Sequence, residues 1–425
     1  MNTRIYNARI LTMETGVEIF KGEIRIKGNR IAYVGNEDPR SAAEEIWDEE
    51  IDAEENLLMP GFKNAHTHSA MTFLRSYADD MPLSDWLTKQ IFPMEAKLTP
   101  DDIYHLTKLA ILEYLTSGIT ASFDMYLTPD TIAKAARDCG FRMVMTGGMN
   151  NFSQSIEELE EWYLKHNEPG DLVSFQLGFH AEYTNSLANL EAVAKLADKY
   201  QAPVYTHNSE TENEVKGCID RYGVTPTALF HRLGIYAYGG GGYHCVHFTE
   251  EDMDIFAKDH VSVVTNPASN MKLASGIAPI SAMLKKGLNI AIGTDGPASN
   301  NCLDMFREMF LTTGLAKLRE KDASAVPADE VLKMATVGGA KAMILPDCDT
   351  LSAGKCADLI MIDLRQPNMR PINNITKNIV YSGSKSNVKM TIINGRILYR
   401  DGKFSVGTDP EEIYAKANAI ISRTR

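Results

Sequence analysis

The chain has 425 residues, of which 44% are apolar, and its 43 Lys and Arg against 56 Asp and Glu give a net charge of −13. This length suits one barrel with an accessory domain, and the acidic balance argues against nucleic acid as a partner, because a nucleic-acid-binding surface is expected to be basic. No apolar run reaches the length of a membrane span, the N-terminus lacks a signal-peptide core, and the six scattered cysteines form no Cys-x-x-Cys pair, so we expect reduced thiols in a cytoplasmic protein with no membrane partner.

Both ends of the chain are rich in short β-strand patterns. Residues 3–35 contain two such runs around a Lys-Gly-Asn-Arg turn. Residues 357–364 and 388–399 have the same strand-like pattern, and Asn394-Gly395 is a hairpin signal. We therefore predict that residues 1–58 and 353–425 pair into one small, β-sandwich-like composite domain. The last residues indicate a helix, with Asp409 as N-cap and Pro410 in its first turn.

The middle of the chain alternates between β-favouring runs and helical patterns, which predicts an α/β fold, a (β/α)8 TIM-type barrel over residues 59–352. The sixth run carries four consecutive glycines, which disfavour a strand. The eight predicted strands lie near 61–68, 119–124, 141–147, 172–180, 203–207, 235–244, 261–265 and 288–295.

The first predicted barrel strand ends in "PGFKNAHTHSAM", residues 60–71. In an extended strand, residues i and i+2 point to the same face, so His66 and His68 present their rings together while Thr67 points away. Neutral imidazole is a common ligand for zinc and similar ions. An isolated His-x-His is a weak signal, however, so the interpretation depends on the other strand ends.

Barrel chemistry takes place at the C-terminal ends of the strands, and several predicted strands end there in titratable side chains. Each has an ordinary structural alternative: Asp124 could cap a helix, Asp295 could serve a turn, and His247 is best read as a hydrogen-bonded core histidine. Taken together, three imidazoles and one carboxylate from strands one, five and eight predict a metal site. Its predicted ligands are His66, His68, His207 and Asp295.

These residues lie in the motifs "PGFKNAHTHSAMTFLRSYADDMPLSDWL", "HNSET", "HCVH", "NPASNMKL" and "GTDGPASNN". As a set they resemble the amidohydrolase superfamily over nearly the whole chain. More narrowly, they resemble the 5′-methylthioadenosine/S-adenosylhomocysteine deaminases and related aromatic-ring deaminases and chlorohydrolases. The resemblance implies a hydrolase that acts on C–N bonds of cyclic amidines.

The predicted ligands imply one divalent ion that lowers the pKa of a water molecule, with Asp295 as general base and His244 orienting the water. The resemblance implies that Glu210 carries a proton to a ring nitrogen before ammonia leaves. Relatives with two metals use a lysine on strand four, and "LVSFQLGFHAEY" has none, so we expect one ion. Zinc is the default expectation, with Fe²⁺ or Mn²⁺ left open.

The resemblance also places substrate-binding residues. Glu95 falls where the resembling deaminases contact ribose hydroxyls, and His180 falls where they contact the purine or ribose. Trp86 could line the pocket, although an aromatic residue in "LSDWL" is more often core. A homo-oligomer is left open, because relatives are often dimers or tetramers.

The chain departs from the resembling deaminases at three positions. Gly147 stands where an arginine for an amino acid carboxylate is expected, and no arginine follows through Glu161; Glu182 and Asn208 also break the pattern. We therefore predict a deaminase of adenosine-type nucleosides that prefers adenosine, 5′-deoxyadenosine or 5′-methylthioadenosine to S-adenosylhomocysteine. The alternatives are another aminated ring, such as guanine, a pterin or a triazine, and an inactive scaffold barrel.

Overall fold

The computed structural model of the protein describes residues 2–425. Its strands fall into two sheets, one built from both ends of the chain and one built from the middle. In chain order they are β1 (Asn2–Ile10), β2 (Phe20–Lys27), β3 (Arg30–Gly35), β4 (Glu49–Asp52), β5 (Leu57–Pro60), β6 (Phe62–Thr67), β7 (Ile119–Met125), β8 (Arg142–Thr146), β9 (Val173–Gly178), β10 (Val204–Asn208), β11 (Gly240–His244), β12 (Val261–Thr265), β13 (Ile290–Ile292), β14 (Leu359–Ile362), β15 (Val388–Ile393), β16 (Arg396–Arg400) and β17 (Lys403–Phe404).

The strands β6 to β13 pair in parallel in sequence order and form the barrel. Hydrogen bonds across the last gap bring β13 to β6: the Asp295 N–H donates to the His66 carbonyl at 3.0 Å, and the Thr294 N–H donates to Asn64 Oδ1 at 2.8 Å. Most of these strands are buried on both faces, which explains their continuous apolar runs. The predicted (β/α)8 barrel is confirmed, with its eight strands close to the expected positions.

The sixth predicted run does form a strand, although it is rich in glycine. Neighbouring groups lie so close to its backbone that larger side chains would not fit. A Cβ on Gly240 would lie 1.9 Å from the Val204 carbonyl oxygen, and one on Gly241 would lie 2.7 Å from the Tyr205 ring. Gly242 faces Phe256 in the same way, at 2.8 Å. The glycines that disfavour a strand by propensity are therefore required by close packing in the barrel.

Helices follow most of the barrel strands and form the outer layer. Several begin with a side-chain cap: Thr99 and Ser155, for example, accept a backbone N–H in capping boxes. No helix within residues 2–425 has both the length and the apolar character needed to cross a bilayer. The α-helices are Pro39–Ala43, Leu83–Trp86, Phe92–Glu95, Pro100–Thr116, Pro129–Cys139, Ile156–Lys165, Leu187–Tyr200, Glu212–Tyr222, Pro226–Leu233, Glu250–Lys258, Pro267–Lys272, Ile280–Lys285, Met305–Glu320, Ala328–Lys333, Gly339–Ala342, Ile375–Lys377 and Pro410–Thr424, and shorter 3-10 or π turns are Ser69–Leu74, Leu87–Ile91, Glu182–Thr184, Met334–Gly338, Pro346–Cys348, Pro367–Met369, Asn378–Ser382 and Lys385–Asn387.

The second sheet draws on both chain ends, as predicted. Its nine strands follow the order β17-β16-β15-β14-β5-β1-β2-β3, with β4 paired to β1, and β5 joins the two halves by pairing with β1 and β14. The C-terminal helix Pro410–Thr424 begins at Asp409 as predicted, and it packs on the barrel helix Pro100–Thr116. The exact domain limits of 1–58, 59–352 and 353–425 stay a prediction.

Candidate metal and catalytic site

Histidine and carboxyl side chains from five barrel strands and the loops that follow them converge on one cavity at the C-terminal mouth of the barrel. The cavity measures about 370 Å³, within the range of small-molecule sites. It is lined by apolar side chains and by a small number of titratable groups, which include the following residues that the sequence singled out: His68, Glu95, His180, His207, Glu210, His244 and Asp295.

The three predicted imidazole ligands meet at the floor of this cavity. The ligand atoms of His66, His68 and His207 all lie within 4.8 Å of one another. Asp295 Oδ1 lies 3.5 Å from His66 Nε2 and 3.2 Å from His68 Nε2. The alternation of β6 therefore brings His66 and His68 together as their spacing predicts. The strand β10 supplies His207, and the loop after β13 supplies Asp295.

Backbone and hydroxyl groups hold this cluster in place. His68 Nδ1 is hydrogen-bonded to the Met125 carbonyl, and His207 Nδ1 to the His180 carbonyl at 2.6 Å, so in each ring Nε2 is the nitrogen that remains to serve as a metal ligand. Asp295 Oδ2 accepts hydrogen bonds from Ser269 Oγ at 2.5 Å and Ser299 Oγ at 2.9 Å. Partners of this kind orient metal ligands in proteins.

The cluster has the chemistry that a divalent cation requires. His66 is fully buried, stacks on Tyr243 with ring centroids 3.8 Å apart, and has no hydrogen bond at either ring nitrogen among the described residues. Burial lowers its pKa to about 3 and also lowers that of His207, so both rings are neutral, as metal ligands must be. Burial opposes protonation of His68 too, but Asp295 and the Met125 carbonyl outweigh it and raise its pKa to about 9. A cation in place of that proton would satisfy the His66 nitrogen as well, so these residues fit the ion.

His244 and Glu210 lie beside the cluster and face each other. His244 Nδ1 is hydrogen-bonded to Asn270 Oδ1 at 2.7 Å, and its Nε2 lies 3.9 Å from Glu210 Oε2 and 4.0 Å from Asp295 Oδ2. Burial raises the pKa of Glu210, against the opposing effect of His244. A buried carboxyl with a raised pKa in a cavity is suited to proton transfer near neutral pH.

The predicted substrate-binding residues lie on the cavity wall. Glu95 Oε1 is buried without a hydrogen-bond partner among the described residues, and burial raises the pKa of this carboxyl to about 7. His180 Nδ1 is hydrogen-bonded to Thr184 Oγ1 at 3.1 Å, and burial lowers its pKa to about 4. Trp86 is buried and lines the cavity, so it belongs to both the core and the pocket.

Three other polar residues that the sequence singled out lie outside the cavity lining. Asp124 accepts the N–H of Ser69, the first residue of the 3-10 turn Ser69–Leu74. It therefore caps this earlier turn and not the helix that follows its own strand. His247 is hydrogen-bonded to the Ser275 carbonyl at 2.8 Å, as predicted, although it is partly exposed. Asn208 is buried in a network with the Tyr236 hydroxyl.

The structure shows the surroundings of two departures from the resembling deaminases. Gly147 faces Leu159, and a Cβ there would lie 2.4 Å from Leu159 Cδ2, so any larger residue at this position requires the Leu159 side chain to move. Glu182, the second departure, does not carry an unpaired charge. It is buried and paired with Arg221, with Oε2 2.5 Å from Nη2.

Sequence reasoning missed the residues that hold the catalytic groups. Asn270 fixes His244, and Ser269 and Ser299 fix Asp295; all three lie in motifs that were noticed without a role. Glu214, which accepts the backbone N–H groups of Ser209 and Glu210, carried only the signal of a capping residue in Thr-x-x-Glu. These contacts join loops of different strands, so no local pattern reveals them.

Comparison with known proteins adds a family and close relatives. The amidohydrolase family profile matches residues 57–398. A 5-methylthioadenosine/S-adenosylhomocysteine deaminase of Syntrophomonas wolfei is 43% identical over 406 residues, which is 94% of this chain and 93% of that protein. A protein of the same name from Caldanaerobacter subterraneus subsp. tengcongensis is 38% identical over 422 residues, 97% of this chain and 96% of the relative.

A solved structure is similar over the whole chain. The crystal structure of an adenosine deaminase from Xanthomonas campestris with bound zinc superposes with a TM-score of 0.92 at 32% identity. The similarity covers 100% of this chain and 98% of that one.

Proposed function

The chain belongs to the amidohydrolase family and is an enzyme that hydrolyses C–N bonds, and on this premise we propose that it is a metal-dependent deaminase of adenosine-type nucleosides. The observation that carries the proposal is the convergence of two features on one cavity. One is a His and Asp cluster that fits a divalent ion, and the other is Glu210, a buried carboxyl beside it. Relatives named as nucleoside deaminases and a similar adenosine deaminase support the substrate class.

We infer that His66, His68, His207 and Asp295 hold one divalent ion, and we propose zinc, which the similar adenosine deaminase binds. When bound, such an ion is a Lewis acid that lowers the pKa of a water molecule toward neutrality. Asp295 is the proposed acceptor of the proton that this water loses. The strand β9 offers no lysine that could bridge a second ion.

The proposed roles of Glu210 and His244 follow from their positions. Glu210 gives a proton to the purine ring nitrogen next to the amine-bearing carbon, which makes that carbon electrophilic. The water oxygen then bonds to the carbon while one water proton passes through Asp295 to the amine, and the C–N bond breaks as ammonia leaves. The remaining hydroxyl proton returns to Glu210, and the ring nitrogen keeps the proton that it received. His244, held by Asn270, steadies the negative charge that develops on the oxygen.

The cavity wall suits a ribose. Glu95 presents an unpaired carboxyl oxygen, and a ribose hydroxyl is a donor of matching chemistry. His180 lies on the same cavity and carries a neutral ring. We therefore propose that Glu95 and His180 bind the sugar and the adjoining edge of the base, which favours a nucleoside over a free aminated ring.

The cavity also offers no cationic side chain to an acidic 5′ group. Neither Lys nor Arg is among the described residues that line it. Arg75 is bonded to Glu113, and Arg142 is buried against Asp358 at 2.6 Å. Arg221, in a neighbouring cavity, is neutralised by Glu182. An amino acid carboxylate would lose its hydration without gaining a partner, so we propose a preference for uncharged 5′ groups.

The test is a comparison of kcat/KM for ammonia release on one metal-replete preparation. Adenosine, 5′-deoxyadenosine and 5′-methylthioadenosine should exceed S-adenosylhomocysteine by about tenfold or more, since one missing charge-assisted contact of about 1.4 kcal/mol is worth a decade. Equal or faster turnover of S-adenosylhomocysteine would refute the preference. Turnover of guanine, a pterin or a triazine in place of nucleosides would refute the substrate class.

Elemental analysis of the same preparation addresses the metal. We expect one zinc, iron or manganese ion per active chain, because the two candidate ligand groups among the described residues, His66 with His68 and His207 and His66 with His244 and Asp295, share His66 and so surround one position. Two ions per active chain would contradict the mononuclear site.

A further inference from the structure

Glu214 has no place in the chemistry proposed above, yet its carboxylate is tied to the loop that carries Glu210. It is buried, and it accepts the Ser209 N–H through Oε1 at 3.0 Å and the Glu210 N–H through Oε2 at 2.8 Å. We propose that Glu214 is a positioning residue that holds the backbone of Glu210 so that its carboxyl faces the cavity. This inference rests on the proposed proton-carrying role of Glu210.

The loop needs such support because its backbone is strained. Between the end of β10 and Glu210, Ser209 adopts φ +53°, a left-handed conformation that costs free energy for any residue with a side chain. This turn redirects the chain so that Glu210 returns to the cavity that His207 also lines. The two N–H groups that donate to Glu214 belong to the two residues that form the turn, so these hydrogen bonds stabilise the turn directly.

Helix capping alone does not explain the arrangement. Thr211 is the N-cap of the helix Glu212–Tyr222, and its Oγ1 accepts the Glu214 N–H at 3.2 Å. In a capping box the Glu214 carboxylate would return to the N–H of the cap residue. Here the Thr211 N–H also acts on the carboxylate, but the carboxylate additionally accepts the N–H groups of the two preceding residues, one of which is the proposed proton carrier.

A carboxylate suits this position better than an amide. The two backbone N–H groups are both donors, and a carboxylate offers an acceptor oxygen to each of them. Glutamine has the same size but only one acceptor, and its NH2 group would face a donor. Glu214→Gln therefore removes one of the two bonds and leaves a repulsive contact without opening a cavity.

The experiment compares Glu214→Gln with Glu212→Gln, which makes the same charge change at an exposed position in the same helical turn. Both proteins are assayed for deamination of 5′-methylthioadenosine, metal content and thermal stability. We expect Glu214→Gln to lower kcat by about 10- to 100-fold with KM within about threefold, because a misplacement of about 1 Å in catalytic geometry can cost about a hundredfold. Metal content should stay at the wild-type level, and Glu212→Gln should match wild type throughout.

A double mutant separates positioning from general stability. If Glu214 acts through Glu210, Glu214→Gln should lower kcat no further in a Glu210→Gln background. An independent, multiplicative loss in the double mutant would overturn the inference, as would wild-type kcat in Glu214→Gln. If Glu210→Gln itself keeps wild-type turnover, the proposed role of Glu210 fails instead, so the two failures are distinguishable.

Discussion

The two ends of the barrel both bury charged groups, and they differ in whether those groups are satisfied. At the N-terminal end of the strands, Lys63 donates to the Gly61 carbonyl at 2.7 Å and to Thr120 Oγ1 at 2.9 Å. Arg142 donates to both oxygens of Asp358, at 2.6 and 3.1 Å. At the C-terminal end, His66 and Glu95 leave buried polar atoms without a partner, next to a cavity.

The pKa shifts of the carboxyls run in opposite directions at the two ends. Burial alone would raise the pKa of Asp358, but the charges of Arg142 and Lys63 outweigh burial and lower it. At the cavity end, burial prevails and raises the pKa values of Glu210 and Glu95, that of Glu95 to about 7. The comparison teaches that a complete set of partners marks a structural cluster, whereas unmet polar atoms beside a cavity mark a site for a ligand.

The largest expected effect is that of His207→Ala at the cavity end. It removes one of the three imidazoles of the cluster, so the protein should lose its metal and more than about 10⁴-fold of its activity, beyond what a general acid or base contributes. Elemental analysis and ammonia release measure both. His231→Ala, which removes an imidazole bonded to Asp259 far from the cavity, should keep both. A metal-replete and active His207→Ala protein would exclude His207 as a ligand.

Next in size is Glu210→Gln. The amide keeps the size of the side chain but carries no acidic proton, so we expect full metal content and a fall in kcat of about 10² to 10⁴-fold. The measurement is steady-state turnover of 5′-methylthioadenosine by metal-replete protein. Turnover near that of wild type would remove Glu210 from the proposed mechanism.

Asp358→Asn tests the opposite end of the barrel. It leaves Arg142 and Lys63 without their buried counter-charge, so the free energy of unfolding should fall by about 3–5 kcal/mol, while the folded enzyme keeps its kcat. Chemical denaturation and turnover measure the two quantities. Glu330→Gln, which breaks the exposed pair with Lys333, should change stability by less than about 1 kcal/mol. If Asp358→Asn lost turnover but kept its stability, the N-terminal end of the barrel could not be described as a purely structural cluster.

The last expected effect concerns the dependence of stability on pH and leaves catalysis aside. Burial raises the pKa of Glu308 to about 8, where this carboxyl accepts the Ala268 N–H and an Asn300 N–H near the cavity. Unfolded, it loses its proton near pH 4.3, so between these values the folded chain binds the extra proton and stability falls as pH rises, by at most about 1.4 kcal/mol per pH unit. Glu308→Gln should flatten this slope between pH 5 and pH 8 in thermal scans. An unchanged slope would show that Glu308 is ionised in the folded protein.

Much of the site was predictable because its residues lie at fixed places in a repeating fold. His66 and His68 share a face through the alternation of one strand, and His207 and Asp295 follow strands that end at the same mouth. The pairing of Glu182 with Arg221 was not predictable, because the two residues lie on separate elements and only their approach cancels the charge. The strand at Gly240 was disfavoured by the sequence for the same reason. The strand propensity of glycine takes no account of the Val204 carbonyl that lies beside it in the barrel.

The sequence by itself determined the alternation of strands and helices, the chemical types of the candidate ligands and the strand ends at which they stand. These follow from local rules of spacing, turns and capping that act over a few residues. Only the tertiary structure decided which polar groups are satisfied and which remain open to a ligand: Arg142 meets Asp358, while His66 meets no hydrogen-bond partner among the described residues. The physical reason is that burial and hydrogen bonding depend on contacts between distant segments, and these contacts set the pKa values and the free space on which the chemistry depends.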